Sequence, residues 1–222
     1  MTNNLDEAGW QAALAAGAKE LGVELDESQL ELLWRYGVML RERNQHVNLT
    51  SIVSPEGILQ LHMLDSLTVA AYLGDARRVI DVGTGGGFPG IPLAVAFPKI
   101  EFTLIDGTQK KIRFVTESVA ALDIRNVTAL AARAESFEGA KDFDVVVVRA
   151  VGSLADVLHN AGHLVGAQGR LLAMKGRLPV EEINSVPRGW QGEVFSLRIP
   201  GVDAERHLVV LTRHKPASRP GK

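Results

Sequence analysis

The stretch from residue 78 to residue 92 constrains the fold most, because an apolar strand pattern leads there into a dense group of glycines. The strand pattern includes Asp81, and glycine follows at positions 83, 85 and 87. Glycine adopts backbone angles that are closed to residues with a Cβ atom, and it lets a ligand approach the main chain closely. The pattern therefore predicts a tight turn after a strand, at which a nucleotide-like ligand binds.

Two classes of ligand fit this turn. An acid two residues before alternating glycines is the arrangement by which many methyltransferases hold S-adenosylmethionine, with Asp81 near the glycine loop and the cofactor's charged amino-acid end. The glycines from Gly85 onward also satisfy Gly-x-Gly-x-x-Gly, and Asp106 follows at about the distance of a dehydrogenase's ribose-binding acid. Pro89 and Pro92 crowd the start of the following helix, which favours the methyl donor over a nicotinamide.

Composition narrows the class of protein without naming its activity. A chain of 222 residues, 46% of them hydrophobic, is long enough to bury the core of one α/β domain. The chain has no cysteine, which excludes disulfides, thiolate metal sites and a thiol nucleophile. The N-terminus lacks the pattern of a secretory signal, and no apolar run approaches the length of a membrane span. We therefore expect a cytoplasmic protein without a membrane partner.

Charge is unevenly distributed along a chain whose net charge is only −2. The first sixty residues carry nine acids against four bases, whereas bases cluster at Lys110, Lys111 and Arg113 and again over residues 201–222. Such clusters are often solvated faces, and they are also the electrostatic footprint of a polyanion-binding surface. Both interpretations stay open at this point.

The first part of the chain is predicted to be helical. Asp26 and Gln29 have the spacing of a capping box, and Ser54-Pro55 is a favourable start for a later helix. We expect residues 1–72 to form a helical extension that packs on the core as a lid or cap. The helix that begins after Asp26 is expected to bury one face, made by Leu30, Leu33, Trp34 and Leu40.

The remainder of the chain alternates strand and helix patterns. We predict one α/β domain over residues 73–215 and a flexible tail over residues 216–222. The spacers between the first five strands are long enough for the helices that parallel connections need, among them 108–121 and 153–164. The last two strands are joined by a short turn at Pro200-Gly201, which predicts an antiparallel hairpin at one edge. The predicted strands are 78–82, 100–105, 127–131, 143–148, 169–174, 193–199 and 207–213.

Ligands in such sheets bind beyond the carboxyl ends of the strands. At the end of the second strand lies Asp106, whose carboxylate is placed to accept hydrogen bonds from ribose hydroxyls. Ala134 and Glu135 follow the third strand, where a main-chain amide and a carboxylate would read an adenine edge. Arg149 and Lys175 end the fourth and fifth strands, so two cations face the expected entrance of the methyl acceptor.

The sequence also lacks the residues that some methyl acceptors require. Methylation of pyrimidine C5 commonly uses a cysteine nucleophile, which is absent. Methylation of an exocyclic amine typically uses Asn/Asp-Pro-Pro-Tyr/Phe after the fourth strand, where this chain has Arg149-Ala-Val-Gly152. An acceptor with its own lone pair, such as a purine ring nitrogen, needs only to be positioned. We therefore expect no catalytic general base.

The chain resembles the RsmG family, formerly called glucose-inhibited division protein B. Members of that family methylate N7 of a guanine in 16S RNA of the bacterial small ribosomal subunit. The resemblance covers nearly the whole chain. Its motifs are Asn48-Leu-Thr50, His62-Met-Leu-Asp-Ser-Leu67, Asp81 to Leu93, Lys110-Lys111, Arg133-Ala-Glu135, Arg149-Ala150, Met174-Lys-Gly176 and Glu205-Arg-His-Leu-Val-Val210.

The resemblance implies a class I S-adenosylmethionine-dependent methyltransferase, with a Rossmann-like sheet of five parallel strands plus an antiparallel hairpin. The resemblance also implies that the cofactor is contacted by Gly83, Phe88, Ala134, Glu135 and Arg149. Geometry adds Gly85 of the turn and Asp106 at the end of the second strand to the expected set. The expected partner is small-subunit ribosomal RNA, naked or in an assembling particle, with no obligate protein partner. From charge and position alone, we nominate Lys110, Lys111, Arg113 and Lys175 as RNA contacts.

The histidines are weaker candidates. His159 and His163 have the spacing of a helical metal pair, but no third ligand is evident, so we expect no metal site. His62 and Asp65 are expected to brace the N-terminal cap as a buried hydrogen-bonded pair, with a substrate contact as the alternative. Two other functions remain: an NAD(P)-dependent oxidoreductase, which should have a Tyr-x-x-x-Lys relay that the chain lacks, and a non-catalytic RNA-binding module.

Overall fold

A computed structural model describes residues 6–139, 142–149 and 152–214. Seven strands form one sheet, and helices cover both faces. The strands are β1 (Arg78–Val82), β2 (Glu101–Asp106), β3 (Val127–Ala131), β4 (Phe143–Arg149), β5 (Val165–Lys175), β6 (Trp190–Leu197) and β7 (Arg206–Arg213). The helices are α1 (Glu7–Glu20), α2 (Glu27–Asn44), α3 (Pro55–Ile58), α4 (Asp65–Leu67), α5 (Gly90–Ala96), α6 (Gln109–Ala121), α7 (Leu154–Ala161) and α8 (Val180–Asn184).

The strand order is β3-β2-β1-β4-β5-β7-β6. The first five strands pair in parallel, and β7 pairs antiparallel with both β5 and β6. The chain adds β2 and β3 on one side of β1 and then β4 and β5 on the other, so the strand order switches between β1 and β4. Doubly wound sheets bind ligands at such a switch point. The predicted sheet, five parallel strands with an antiparallel hairpin at one edge, is confirmed.

Several predicted strand boundaries were wrong, including the start of β6, which is Trp190 and not residue 193. β5 begins at Val165 rather than at residue 169, because its pairing with β4 continues across a bulge. β6 ends at Leu197, and the connection to β7 spans residues 198–205 instead of a short turn at Pro200-Gly201. Ile199 is apolar because it is fully buried in that connection, not because it continues the strand.

Alternate residues of each central strand pack into different halves of the core. Val145 and Val147 of β4 face a cluster that contains the N-terminal helices, whereas Val146 and Val148 face α7. This alternation follows from the two-residue period of a strand, and burial on both faces explains the continuous valine run. The sheet is therefore the middle of three layers.

The N-terminal helices begin where the capping residues predict. Asp26 and Gln29 form a capping box at the start of α2, and Ser54 caps α3 with Pro55 in its first turn. The buried face of α2 differs from the predicted one: Leu33 and Leu40 are buried, but Leu30 and Trp34 are only half-buried. The buried positions between them are Tyr36 and Gly37.

A six-residue π-helix, Leu59–Leu64, joins α3 to α4, and 3₁₀ turns occupy Ala70–Tyr72, Ala134–Ser136 and Gly162–Leu164. Within the described ranges, no helix is both long enough and apolar enough to cross a membrane. The predicted tail over residues 216–222 lies outside the described residues.

Candidate active site

The glycine turn joins the carboxyl end of β1 to α5. Its start is tied to the neighbouring strand, because the amides of Gly83 and Thr84 both donate to the carbonyl of Ile105, at 2.8 and 3.0 Å. Gly83, Gly85 and Gly87 have φ angles of 74°, 58° and 87°, a region that side chains with a Cβ rarely adopt. The predicted reason for glycine at these positions therefore holds.

Asp81 braces the turn from below. Its Oδ2 atom accepts hydrogen bonds from Thr84 Oγ1 at 2.6 Å and from the amide of Gly90 at 2.8 Å. Burial raises the pKa of this carboxyl to about 6, although these two hydrogen bonds oppose the shift. Asp81 is fully buried and does not line the cavity described below, so it acts within the glycine-loop network and does not face a ligand.

Tyr36 of α2 holds the turn from the other side. Its hydroxyl donates to the carbonyl of Gly86 at 2.6 Å, and its ring packs against those of Phe88 and Phe114. A Cβ atom at Gly87 would lie 2.2 Å from the Tyr36 oxygen, so the third glycine is also needed for this close approach. Sequence reasoning missed this residue, since the apolar periodicity of α2 does not show which turn its hydroxyl reaches.

A cavity of about 710 Å³ opens over the carboxyl ends of the strands. One wall is the glycine turn. The facing walls come from residues 49–52, from the π-helix, from the carboxyl ends of β4 and β5 and from the start of β7. Of the predicted site residues, the cavity brings together Gly83, Gly85, Phe88, Asp106, Arg149 and Lys175.

Asp106 ends β2 beside the turn. Its Oδ2 accepts the amide of Gly85 at 3.0 Å, and its Oδ1 accepts the amide of Thr108 at 2.7 Å. Lys111 Nζ lies 4.0 Å from the same carboxylate. A carboxylate has about four acceptor positions, so each oxygen keeps capacity for a further donor from the cavity.

Ala134 and Glu135 do not line the cavity. Both lie on the 3₁₀ turn after β3, with Ala134 buried and Glu135 exposed. The turn is adjacent to the end of β2, because a Cβ atom at Gly107 would contact Arg133 Cγ at 3.3 Å. The 3₁₀ turn therefore lies next to the end of β2, whereas Ala134 itself packs into the half of the core that contains α7.

Two arginines converge on one buried acid at the opposite end of the cavity. Asp65 is 4% exposed and accepts Arg149 Nη1 at 3.2 Å and Arg206 Nε at 3.0 Å. Arg149 also donates to the carbonyl of Leu61 at 3.2 Å. The expected direct bond between His62 and Asp65 is absent from the hydrogen bonds found among the described residues; instead both side chains contact Arg149.

His62 stacks on Phe88, with ring centroids 4.4 Å apart and planes 13° apart. Its Nε2 lies 2.8 Å from Thr50 Oγ1. Burial first, and the Arg149 cation second, lower the pKa of His62 to about 4, so the imidazole is neutral at pH 7. The His62 ring therefore links Phe88, which follows the glycine turn, to Thr50.

The nominated basic residues have different environments. Lys110 is exposed, Lys111 is oriented toward Asp106, and Arg113 pairs with Glu117 at 2.8 Å. Lys175 Nζ donates to the Gly152 carbonyl at 2.7 Å and to Glu182 at 2.9 Å, so its charge is neutralised at the cavity edge. Of the four, Lys110 is therefore the cation most available to a phosphate.

His159 and His163 have the spacing of a helical metal pair, although no metal site was expected there. His159 and His163 are both exposed near the end of α7. No cluster of three or more His, Cys, Asp or Glu side chains suited to a metal ion occurs among residues 6–139, 142–149 and 152–214.

Comparison with solved structures supports the fold. A tRNA (m1A58) methyltransferase from Aquifex aeolicus aligns with a TM-score of 0.56 and 16% identity, over 69% of this chain and 69% of that one. A SAM-dependent methyltransferase from the same organism aligns with a TM-score of 0.54 and 17% identity, over 70% of this chain and 92% of that one. At such identities the likeness shows the fold alone.

Sequence comparison identifies the family. The model of the family described as rRNA small subunit methyltransferase G matches residues 29–209. A relative of that name from Methylococcus capsulatus is 46% identical over 89% of this chain and 96% of its own, and one from Escherichia fergusonii is 43% identical over 89% and 96%. The predicted enzyme class and cofactor are confirmed. The chain belongs to the rRNA small subunit methyltransferase G family.

Proposed function

We propose that this protein transfers a methyl group from S-adenosylmethionine to N7 of a guanine in 16S ribosomal RNA. The observation that carries the proposal is one cavity that joins the glycine turn and Asp106 to the Arg149 end of the site. We assign the first part to the adenosyl group of the cofactor, and the Arg149 end to the place where the cofactor's methyl group would meet the acceptor base. The family membership supplies the substrate class.

The residues present fit the cofactor. A Cβ atom at Gly85 would find nothing closer than the Gly83 carbonyl at 4.0 Å, so the main chain of the turn is open to a ligand. Asp106 keeps acceptor capacity for ribose hydroxyls, and Gly83, Phe88 and Arg149, also predicted cofactor contacts, line the same cavity. Ala134 and Glu135 lie past Asp106, at the side where an adenine ring would project. The bound cofactor supplies an electrophilic methyl group.

The chain's own residues position the acceptor and do not move a proton. N7 of guanine has a lone pair and carries no proton at neutral pH, so general-base catalysis has no proton to transfer. His62 is suited to positioning and not to proton transfer, because its lowered pKa keeps it neutral. Its ring stacks on Phe88, and its Nδ1 lies 3.5 Å from Arg149 Nη2. Alignment of reacting atoms alone is worth an effective molarity of about 10⁵ to 10⁸ M.

The N-terminal extension has a positioning role in this proposal. Tyr36 bonds the glycine turn, and Thr50 and His62 form one side of the cavity. We assign residues 1–72 as the extension that completes the site on the 73–215 domain. The substrate is small-subunit RNA, naked or in an assembling particle in the cytoplasm, with Lys110 as the first phosphate contact to test.

Incubation with a tritiated methyl donor and unmodified small subunits, or their naked RNA, tests the proposal. We expect label in the RNA, and mass spectrometry should locate it as 7-methylguanine at one nucleotide. RNA binding without transfer would favour the non-catalytic module. Binding of NADH but not of S-adenosylmethionine would favour the oxidoreductase.

A further inference from the structure

Thr50 is held rigidly in the cavity wall. The side chain of Asn44 clamps its main chain, because Asn44 Oδ1 accepts the amides of Leu49 at 2.8 Å and Thr50 at 3.0 Å. Asn44 Nδ2 donates to the Thr50 carbonyl at 2.8 Å. These bonds fix the direction of the Thr50 Cα–Cβ bond, and the contacts of the hydroxyl itself then select its rotamer.

The Thr50 hydroxyl has two hydrogen-bond partners. Its oxygen accepts the amide of Ile52 at 3.0 Å and lies 2.8 Å from His62 Nε2. The other ring nitrogen, His62 Nδ1, lies 3.5 Å from Arg149 Nη2. A guanidinium can only donate, so Nδ1 is the acceptor and the single proton of the neutral imidazole is on Nε2. His62 therefore donates to Thr50.

The Leu61 carbonyl also lies within hydrogen-bond reach of the ring, and it accepts Arg149 Nη1 at 3.2 Å, so the tautomer assignment rests on the contact between Nδ1 and Arg149. With both lone pairs of the Thr50 oxygen occupied, its own O–H must donate away from them, and Thr50 lines the cavity. The neighbouring Ser51 differs, since its hydroxyl has no hydrogen bond among the described residues and is free to donate or accept.

A hydroxyl restricted to donation distinguishes purines at the edge that carries N7. Guanine presents an O6 acceptor beside N7, whereas adenine presents an amino donor there. Both bases have a lone pair at N7, so the reacting atom alone does not discriminate between them. A neutral donor also suits this reaction, because methylation of N7 places positive charge on the base. Lys175, a cationic donor on the same cavity, is already paired with Glu182.

We infer that the Thr50 hydroxyl donates a hydrogen bond to O6 of the target guanine and is a specificity-determining residue of this enzyme. The inference rests on the proposed function. Asn44 and His62 act through Thr50: the first fixes its main chain, and the second makes its hydroxyl a donor.

The test compares small-subunit RNA that carries either guanine or 2-aminopurine, which lacks O6, at the nucleotide mapped as modified. Wild-type enzyme should prefer guanine in single-turnover kcat/KM by about tenfold, the value of one hydrogen bond. Thr50→Val should bring the ratio close to one, Thr50→Ser should restore it, and Ser51→Ala should keep the wild-type ratio. A ratio unchanged in Thr50→Val would overturn the inference.

A second measurement needs no variant to fold. Nitrogen-15 spectra of wild-type protein at pH 7 should show His62 protonated at Nε2 and unprotonated at Nδ1. The opposite tautomer would mean that Thr50 donates to the ring, which overturns the inference even if methylation occurs at guanine N7. Conversely, the expected tautomer with no methylation of any RNA, or with methylation at another atom, would refute the proposed function and this role with it.

Discussion

Tyr36 and Gly86 are joined by a buried hydrogen bond of 2.6 Å across 50 positions of the chain. The hydroxyl comes from a helix that precedes the sheet, and the carbonyl belongs to the glycine turn. The ligand-binding turn is thus supported by the N-terminal extension as well as by its own strand. This contact leads to the first prediction.

Tyr36→Phe should weaken binding of S-adenosylmethionine and lower the free energy of unfolding. Removing the hydroxyl leaves the Gly86 carbonyl without this donor, at a cost of about 1 to 3 kcal/mol. Calorimetry with the cofactor and urea unfolding measure the two effects. Tyr72→Phe is the matched control, since the Tyr72 ring packs on Phe195 and lies away from the turn. Equal effects of the two substitutions would contradict the assignment.

Asp106→Asn should reduce cofactor affinity at least tenfold. The substitution keeps the size of the side chain but removes the charge that strengthens hydrogen bonds from ribose hydroxyls, each worth about 1.5 to 3 kcal/mol. Titration calorimetry gives the affinity. Asp123→Asn serves as control, because Asp123 is exposed and paired with Arg125 outside the cavity. Unchanged affinity in Asp106→Asn would remove this residue from the cofactor site.

Replacing Lys110, Lys111 and Arg113 with alanine should flatten the dependence of log RNA affinity on log salt. Each lost phosphate contact should change the slope by about 0.7 to 0.9. Lys110→Ala alone should account for most of the change, since Arg113 already pairs with Glu117. Arg125→Ala, an exposed base that pairs with Asp123, is the control. An unchanged slope in the triple variant would show that the cluster is only solvated.

The single-turnover methylation rate should stay nearly flat from about pH 6 to 9, a range that includes the unperturbed pKa of histidine. Guanine N7 needs no deprotonation, and His62 titrates well below this range, at a pKa of about 4. The rate is to be measured with saturating cofactor and RNA. A log-linear rise of unit slope that disappears on mutation of one His or Glu would reveal a general base and a different acceptor atom.

His62→Asn should lose less stability than wild type on acidification. Between pH 6.5 and about 4 the unfolded chain binds a proton at His62 that the folded chain excludes, so its contribution falls as pH falls. Asp81 acts in the opposite direction, because its pKa rises from 3.8 to about 6 on folding. Urea unfolding should show that the free energy of unfolding of wild type, relative to that of His62→Asn, falls by roughly 2 to 3 kcal/mol between pH 7 and pH 4.5. Parallel pH profiles would contradict the buried, neutral imidazole.

The sequence by itself determined the sheet and much of the ligand-binding edge. The buried parallel strands appear as continuous apolar runs such as that of β4, and the glycines of the turn have backbone angles that only their residue type permits readily. Because parallel strands end at one edge, Asp106 and Arg149 were predicted to share a site, and both line the cavity.

Tertiary structure alone decided the partners of those residues. Asp65 bonds Arg149 and Arg206 across 84 and 141 positions, and a local pattern does not specify such pairs. The location of Ile199 was likewise decided by the tertiary structure. Its apolar character predicted that the strand continues to residue 199, whereas it is buried in the connection after β6. Strand and helix periodicity depends on near neighbours, whereas the direction of a buried polar side chain depends on which distant donors and acceptors the packed core brings within about 3 Å.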